Sequence, residues 1–246
     1  MRYPFILLIF ILFLIGCNED RSITFEPLTF GIQSCQECAI VDITVPEAIG
    51  NKKIDEVINT AIREEVISIL NYDDEIDASS INTAIESFQS EYAKLKEKFP
   101  EESTKWEANV TGEITFENEK VVTVRLDYYL FTGGAHGYRS LRFLNFSKEK
   151  GTELRTMELF KNLETFQNLA EKEFRTQENI PESNSINSTG FMFENDMFYL
   201  PENIGFTEKG LQLFYEQYEV ASYADGPIIL NIPHKEIKRF LALPIS

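Results

Sequence analysis

Histidine is nearly absent from this chain of 246 residues, with only His136 and His234. Cysteine occurs three times and tryptophan once. Two isolated histidines leave few general bases of near-neutral pKa and few imidazole ligands for a metal. Positive charge is also scarce, 23 Lys and Arg against 40 Asp and Glu, for a net charge of −17. A surface of that sign repels phosphate backbones and anionic headgroups, which argues against nucleic acid as a partner. It favours a cationic protein or peptide, although solubility alone accounts for the same excess of acid. No apolar run reaches the roughly 20 residues that a membrane-spanning helix needs. There is no Walker loop, dinucleotide fingerprint, Gly-x-Ser-x-Gly elbow or Ser-x-x-Lys dyad in a catalytic setting, and nothing implies a cofactor. Carboxylates are so abundant that no particular pair of them is informative.

The longest apolar run is Phe5–Ile15, eleven residues behind a short cationic start. That length matches the core of a secretory signal, about 7–15 residues. The run ends in Leu14-Ile15-Gly16-Cys17, which resembles a bacterial lipobox. Residues 1–16 are therefore expected to be a signal peptide, with Cys17 lipidated and residues 17–37 serving as a tether. Several acyl chains make such anchoring stable, at about 0.8 kcal/mol per buried methylene. Loss of residues 1–16 removes only Arg2, leaving 22 basic and 40 acidic side chains, a net −18. The expected location is the cell envelope, lipid-anchored to a bacterial membrane. Acidic residues after Cys17 resemble surface-export signals and suggest the outer membrane, with the face left open.

Cys35 and Cys38 form a Cys-Gln-Glu-Cys pair. In an exported chain a short local disulfide is the first expectation. A redox pair would open a helix after a strand, and zinc would need two further ligands. Here the pair instead precedes Ala39–Val45, a strand-like run. Asp73, Asp74, Glu75 and Asp77 cluster in a loop that lacks the glycine and terminal glutamate of an EF-hand, so a solvated loop is expected there.

Hydrophobic periodicity divides the rest of the chain. Two β-prone stretches lie near Thr24–Phe30 and Ala39–Val45. Ile54, Val57, Ile58, Ala61, Ile62, Val66, Ile69 and Leu70 recur at helical spacing behind Asn51, a candidate N-cap. A second helix is expected from Ser80 to Phe99, ended by Pro100. The period then changes to two. Trp106–Phe116, Val122–Leu130 and Tyr138–Phe146 read as an antiparallel meander. A helix follows near Leu163–Arg175, then an exposed loop over Gln177–Thr189. Strands are expected near Met192–Phe193, Met197–Leu200, Leu211–Tyr218 and Pro227–Ile232, and a closing helix from Pro233 carries Ile237, Phe240 and Leu241. With no βαβ rhythm, the fold class is α+β: an antiparallel β-sheet with helices packed on it, in a single globular unit.

One motif stands out. Thr132-Gly133-Gly134-Ala135-His136-Gly137 joins two expected strands. Its glycines permit positive φ and close backbone approach, so the loop suits a ligand held on backbone amides. A tight strand connection explains the same residues, and physics alone favours it. Aromatic residues crowd on either side: Tyr128, Tyr129, Phe131 and Tyr138, and later Phe214, Tyr215, Tyr218 and Tyr223. Alternation allows about half of each group to face a groove.

The stretch Tyr128–Gly137, with Asn145 and Gly151 beyond it, resembles the PdaC/RsiV-like family. So does Gln217-Tyr218-Glu219-Val220-Ala221-Ser222-Tyr223-Ala224-Asp225-Gly226-Pro227. The resemblance covers roughly residues 38–242. It implies an N-terminal PdaC-like subdomain over 38–150 and a C-terminal RsiV-like subdomain over 151–246, with helices packed on an antiparallel sheet. Members occur as the extracytoplasmic part of a lysozyme-sensing anti-sigma factor and as the non-catalytic N-terminal part of a peptidoglycan deacetylase. What carries over is an envelope-facing module that binds a lysozyme-like cationic protein or peptidoglycan fragments, with no catalytic residue to transfer. The expected contacts are Gly133, Gly134, His136, Gly137, Tyr218 and Tyr223. The alternative is a cell-wall hydrolase or deacetylase centred on His136.

Overall fold

The computed structural model describes residues 22–32, 37–50, 52–101 and 104–245. Strands β1 (Phe25–Ile32) and β2 (Ile40–Ala48) pair antiparallel. Alternation in β2 sends Val41, Ile43 and Val45 into the core. Helices α1 (Lys53–Leu70) and α2 (Ile81–Lys98) follow and cover them. The α1 stripe is as expected, with Ile54, Ile58, Ile62, Val66, Ile69 and Leu70 buried. Asn51 lies outside the described residues. Lys52 takes the N-cap position, and its N–H donates to Asp55 Oδ2 at 3.0 Å. Ser80 caps α2 by accepting the Thr83 N–H at 3.2 Å.

Two carboxamides dock these helices on β2. Asn59 of α1 accepts the Ala48 N–H at 2.8 Å and donates to its carbonyl at 2.9 Å. Gln89 of α2 does the same to Ala39, at 3.0 and 2.8 Å. Each long helix is thus tied to one end of the same strand.

Strands β3 (Glu107–Glu117), β4 (Val121–Phe131), β5 (Tyr138–Ser147) and β6 (Thr152–Leu154) complete a six-stranded sheet in sequential order. The expected α+β class holds, and every pairing in this sheet but one is antiparallel. The exception is β2–β3, which pairs parallel because the α1–α2 crossover returns the chain to the end where β2 began. The meander has the expected register, except that a bulge falls between Ile114 and Phe116. A bulge reverses the phase of a strand. Phe116 consequently leaves the α1–α2 core and packs against Phe206 on the other face.

That other face carries the second half of the chain. Helix α3 (Leu163–Gln177) precedes strands β7 (Asn203–Thr207), β8 (Gly210–Tyr215) and β9 (Ile228–Pro233), which form a three-stranded antiparallel sheet. Helix α4 (His234–Ile237) closes it. Strands β6 and β7 have no counterpart in the sequence expectation. The strands expected near Met192–Phe193 and Met197–Leu200 do not form. Instead, Asn187 bonds both the N–H and the carbonyl of Phe193, at 2.8 and 2.9 Å, taking the place of a strand partner. The closing helix is also shorter than expected. Past Ile237 the chain runs beside Phe160, with Leu241 bridged to it and Ala242 donating to the Leu159 carbonyl.

The two sheets meet along β5. Strand β6 pairs only with Asn145–Ser147, so among the described residues the outer edge of β5 from Tyr138 to Leu144 has no strand partner. Asn203, first residue of β7, covers that edge. Its Oδ1 accepts the Phe143 N–H at 2.9 Å, and its Nδ2 donates to the Leu141 carbonyl at 2.6 Å. Asn145 returns the contact by donating to the Ile204 carbonyl at 2.7 Å and accepting from Thr123 Oγ1 at 2.9 Å. All these groups are buried. Gly205 passes directly over Phe143, whose ring occupies the space a Cβ would need.

Asn203→Ala would leave the Phe143 N–H and the Leu141 carbonyl without partners. At about 1–3 kcal/mol per stranded buried group, the expected loss for the two is about 2–6 kcal/mol in urea unfolding. Asn203→Asp keeps the acceptor but not the donor, and its midpoint should fall between those of wild type and Asn203→Ala.

Candidate functional site

The turn between β4 and β5 and the segment after β8 face each other across a cleft of about 510 Å³. Tyr129, Phe131, His136, Gly137 and Arg139 line it from the β4–β5 side, and Gln217, Tyr223 and Pro227 from the other. The two sequence motifs, some eighty residues apart, therefore converge.

The glycines serve different purposes. Gly133 and Gly134 have φ of +100° and +86°, with open space where a Cβ would be. They do not line the cleft; they supply the left-handed backbone that turns the chain. Gly137 does line it, and a Cβ there would fall within the Tyr129 ring. Tyr129 and Arg139 are directly paired across β4 and β5, and the Arg139 guanidinium lies 4.6 Å from the Tyr129 ring centroid. Gly137, Tyr129 and Arg139 thus form one stacked unit.

Opposite, Gln217 Nε2 donates to the Tyr223 carbonyl at 3.2 Å. The side chain of Asp225 accepts from Ser222 N–H and Oγ at 3.2 and 2.5 Å, closing a short 3₁₀ turn that presents Tyr223. The Tyr223 ring lies 5.4 Å from His136 and 5.4 Å from Tyr218, tilted by 34° and 33°. Three rings therefore run in a row: His136, Tyr223, Tyr218. Tyr218 is 66% exposed and has φ of +71°. It occupies a turn in which the Glu216 N–H donates to Glu219 Oε2 at 2.7 Å and the Glu219 N–H to the Glu216 carbonyl at 3.0 Å. A non-glycine residue in that backbone region costs roughly 1–2 kcal/mol.

Beside the cleft, Glu216 Oε2 accepts from the Tyr138 hydroxyl at 2.9 Å and from Ser140 Oγ. Burial, then the Glu216 carboxylate, pushes the Tyr138 hydroxyl well above the usual phenol range, so it remains a donor. Burial likewise raises the Glu219 carboxyl; the hydrogen bond from the Glu216 N–H opposes the rise and the Glu216 carboxylate adds to it. Tyr138 and Ser140 flank Arg139, so their attachment to Glu216 fixes the strand that aims Arg139 to the opposite side.

Of the expected site residues, His136, Gly137 and Tyr223 line the cleft and Tyr218 extends it, whereas Gly133 and Gly134 act at one remove. Cys17 and Cys35 lie outside the described residues. Cys38 is disulfide-bonded. Alternation divides the aromatic groups: Tyr129 and Phe131 face the cleft, while Tyr128 packs on the α1–α2 core. Phe214 and Tyr215 are core, and the Tyr215 hydroxyl donates to the Tyr199 carbonyl at 2.7 Å. Arg139 and Glu216 were missed. Strand period alone places Arg139 on the face of Gly137, so that signal was present; nothing local marks Glu216.

Asp73, from the acidic loop, is tied to Lys94 at 2.9 Å. Hydrogen bonding from Lys94, then from the Glu75 N–H, holds its carboxyl down to about 2. Among the described residues no group of His, Cys, Asp and Glu is arranged to hold a metal, and no helix is long and apolar enough to cross a membrane.

Comparison with known families agrees with the layout. Residues 32–139 match the family described as deacetylase PdaC, and residues 157–235 match a protein family of unknown function, DUF3298. The chain belongs to the PdaC/RsiV-like family, with those two regions in tandem. A DUF3298-family structure from Bacteroides fragilis superposes with a TM-score of 0.65 at 14% identity, covering 90% of this chain and 94% of that one. Another, from Pseudomonas aeruginosa, gives 0.62 at 19%, covering 92% and 98%. At such identities the likeness speaks to the fold. No curated protein matches the sequence.

Gly137→Ala must displace the Tyr129 ring, for an expected cost of about 1–3 kcal/mol. Tyr129→Ala removes the obstacle. In a double-mutant cycle followed by urea unfolding, Gly137→Ala should cost much less in the Tyr129→Ala background.

Proposed function

We propose that the chain is a non-enzymatic binding module of the cell envelope, held at the membrane by lipid on Cys17, and that its cleft takes a cell-wall glycan. The observation that carries this reading is the row of His136, Tyr223 and Tyr218 beside a cleft with polar side chains in its lining. Flat apolar rings with hydrogen-bonding groups beside them suit a ligand that has apolar faces and polar edges. The strained, exposed Tyr218 supports it, since backbone strain concentrates where function requires it. His136 contributes a ring. Among the described residues its one partner is Tyr223, and no carboxylate orients it as a general base.

A cationic lysozyme-like protein is the second reading, favoured by the net charge of −18 expected for the mature chain. Calorimetric titrations with peptidoglycan oligosaccharides, and with lysozyme at low and moderate salt, separate the two. Glycan binding that tolerates salt supports the first, and lysozyme binding that vanishes with salt supports the second. Turnover of purified sacculi that is lost in His136→Ala would instead establish an enzyme.

Each stacked ring contributes about 0.5–1.5 kcal/mol. Tyr223→Ala and Tyr218→Gly should therefore each weaken glycan binding by roughly two- to tenfold. Tyr218→Gly also relieves the left-handed strain. Its thermal unfolding should stay level or rise, so that affinity and stability move in opposite directions.

A further inference from the structure

The protein has forty acidic side chains, yet among the described residues none lines the cleft. Among the described residues Arg139 is the one of fixed charge that does. By contrast, the cleft on the other side of the sheet junction mixes Glu113, Arg125, Glu208 and Lys209. Four of the seven arginines among the described residues are committed to carboxylates: Arg125 to Glu113 and Asp127, Arg142 to Glu65, Arg155 to Glu158, Arg175 to Glu171. Arg139 has no carboxylate partner among the described residues, and its guanidinium lies over the Tyr129 ring. Stacking uses a guanidinium's face and leaves its N–H edge available to a planar acceptor. The side chain is also held in place. Tyr138 and Ser140, on either side of it, are both bonded to Glu216, and Tyr129 is its cross-strand neighbour.

We infer that the cleft selects an acidic saccharide, with Arg139 receiving a sugar carboxylate while the His136–Tyr223–Tyr218 row receives the sugar rings. This rests on the glycan reading above and adds the charge of the ligand to it. A guanidinium pairs with a carboxylate through two parallel hydrogen bonds, which gives geometry as well as energy. The surrounding negative field opposes any anion that lacks this contact, so selection is against neutral-site anions as well as for the right one. A carboxylate on an attached peptide would offer the guanidinium the same chemistry, so the test includes the peptide as a separate probe.

The test titrates the full chain, in detergent, with three probes. They are a neutral N-acetylglucosamine tetrasaccharide, a peptide-free tetrasaccharide of the same length with alternating N-acetylmuramic acid, and the stem peptide alone. Wild type should prefer the acidic tetrasaccharide by about tenfold. In Arg139→Gln the two sugar affinities should converge, and Arg139→Lys, which keeps charge without the fork, should restore part of the difference. Circular dichroism melts establish that each variant is folded. Equal affinity of wild type for the two sugars overturns the acid assignment and leaves the glycan reading standing. Unchanged preference in Arg139→Gln overturns the role of Arg139. Peptide binding as tight as that of the acidic sugar, and equally dependent on Arg139, overturns the sugar as the source of the carboxylate. Failure of both sugars to bind overturns this inference and the glycan reading together.

Discussion

A carboxamide side chain paired with both an N–H and a carbonyl of backbone that no strand or helix partner satisfies is the interaction on which this structure depends. It occurs four times among the described residues. Asn59 and Gln89 fasten the two long helices to the ends of β2. Asn187 replaces a strand partner at Phe193. Asn203 covers the open edge of β5 and joins the two sheets. Asparagine and glutamine carry one donor and one acceptor group at fixed separation, so a single side chain satisfies two backbone groups at once. An unpaired strand edge otherwise invites pairing with another chain. Here the edge is closed by a residue rather than by a strand, and little more than one side chain separates the sheets.

The cleft follows from that economy. Because β6 is three residues long, the upper part of β5 remains without a neighbour, and the chain leaving β8 has room to turn in beside it. Glu216 occupies that room and binds Tyr138 and Ser140. Its other carboxylate oxygen is buried without a hydrogen-bond partner among the described residues, an unfavourable placement that normally needs an explanation. The geometry supplies one. The carboxylate sits where it holds β5 in position, and the residues immediately after it, Gln217 and Tyr218, reach the cleft.

The helices and the meander were legible in the sequence because their burial is periodic. Ile58, Ile62 and Val66 can only be one face of a helix, and Val122, Val124 and Leu126 only one face of a strand. Family resemblance singled out both motifs, but their convergence was not legible, since no local rule links Gly137 to Tyr223. The clamps were not legible at all. Asn59 reads as a solvated position on a helix, and Asn203 as a loop residue in a stretch where Gly205 argues against a strand. What requires glycine there is the Phe143 ring, which is sixty-two residues away in sequence. The phase reversal at Phe116 was hidden for the same reason, because a bulge is set by the partner strand and by the second sheet. Each miss concerns a contact between distant parts of the chain, whereas period and propensity report only on near neighbours.

Tyr218 shows how such a fold divides stability from function. A glycine would occupy its backbone conformation without strain, and the turn around it is already closed by Glu219. A tyrosine there destabilises the turn by roughly 1–2 kcal/mol and gains nothing from burial, being two-thirds exposed. Strain of that size persists only where surrounding structure over-determines it. The Glu216–Glu219 turn meets that condition, since it is anchored through Glu216 to β5 and β5 is anchored through Asn203 to β7. The rigidity contributed by the buried clamps is thus what allows an unfavourable residue to be held at the rim of the cleft, with its ring against Tyr223 and its outer face turned to solvent.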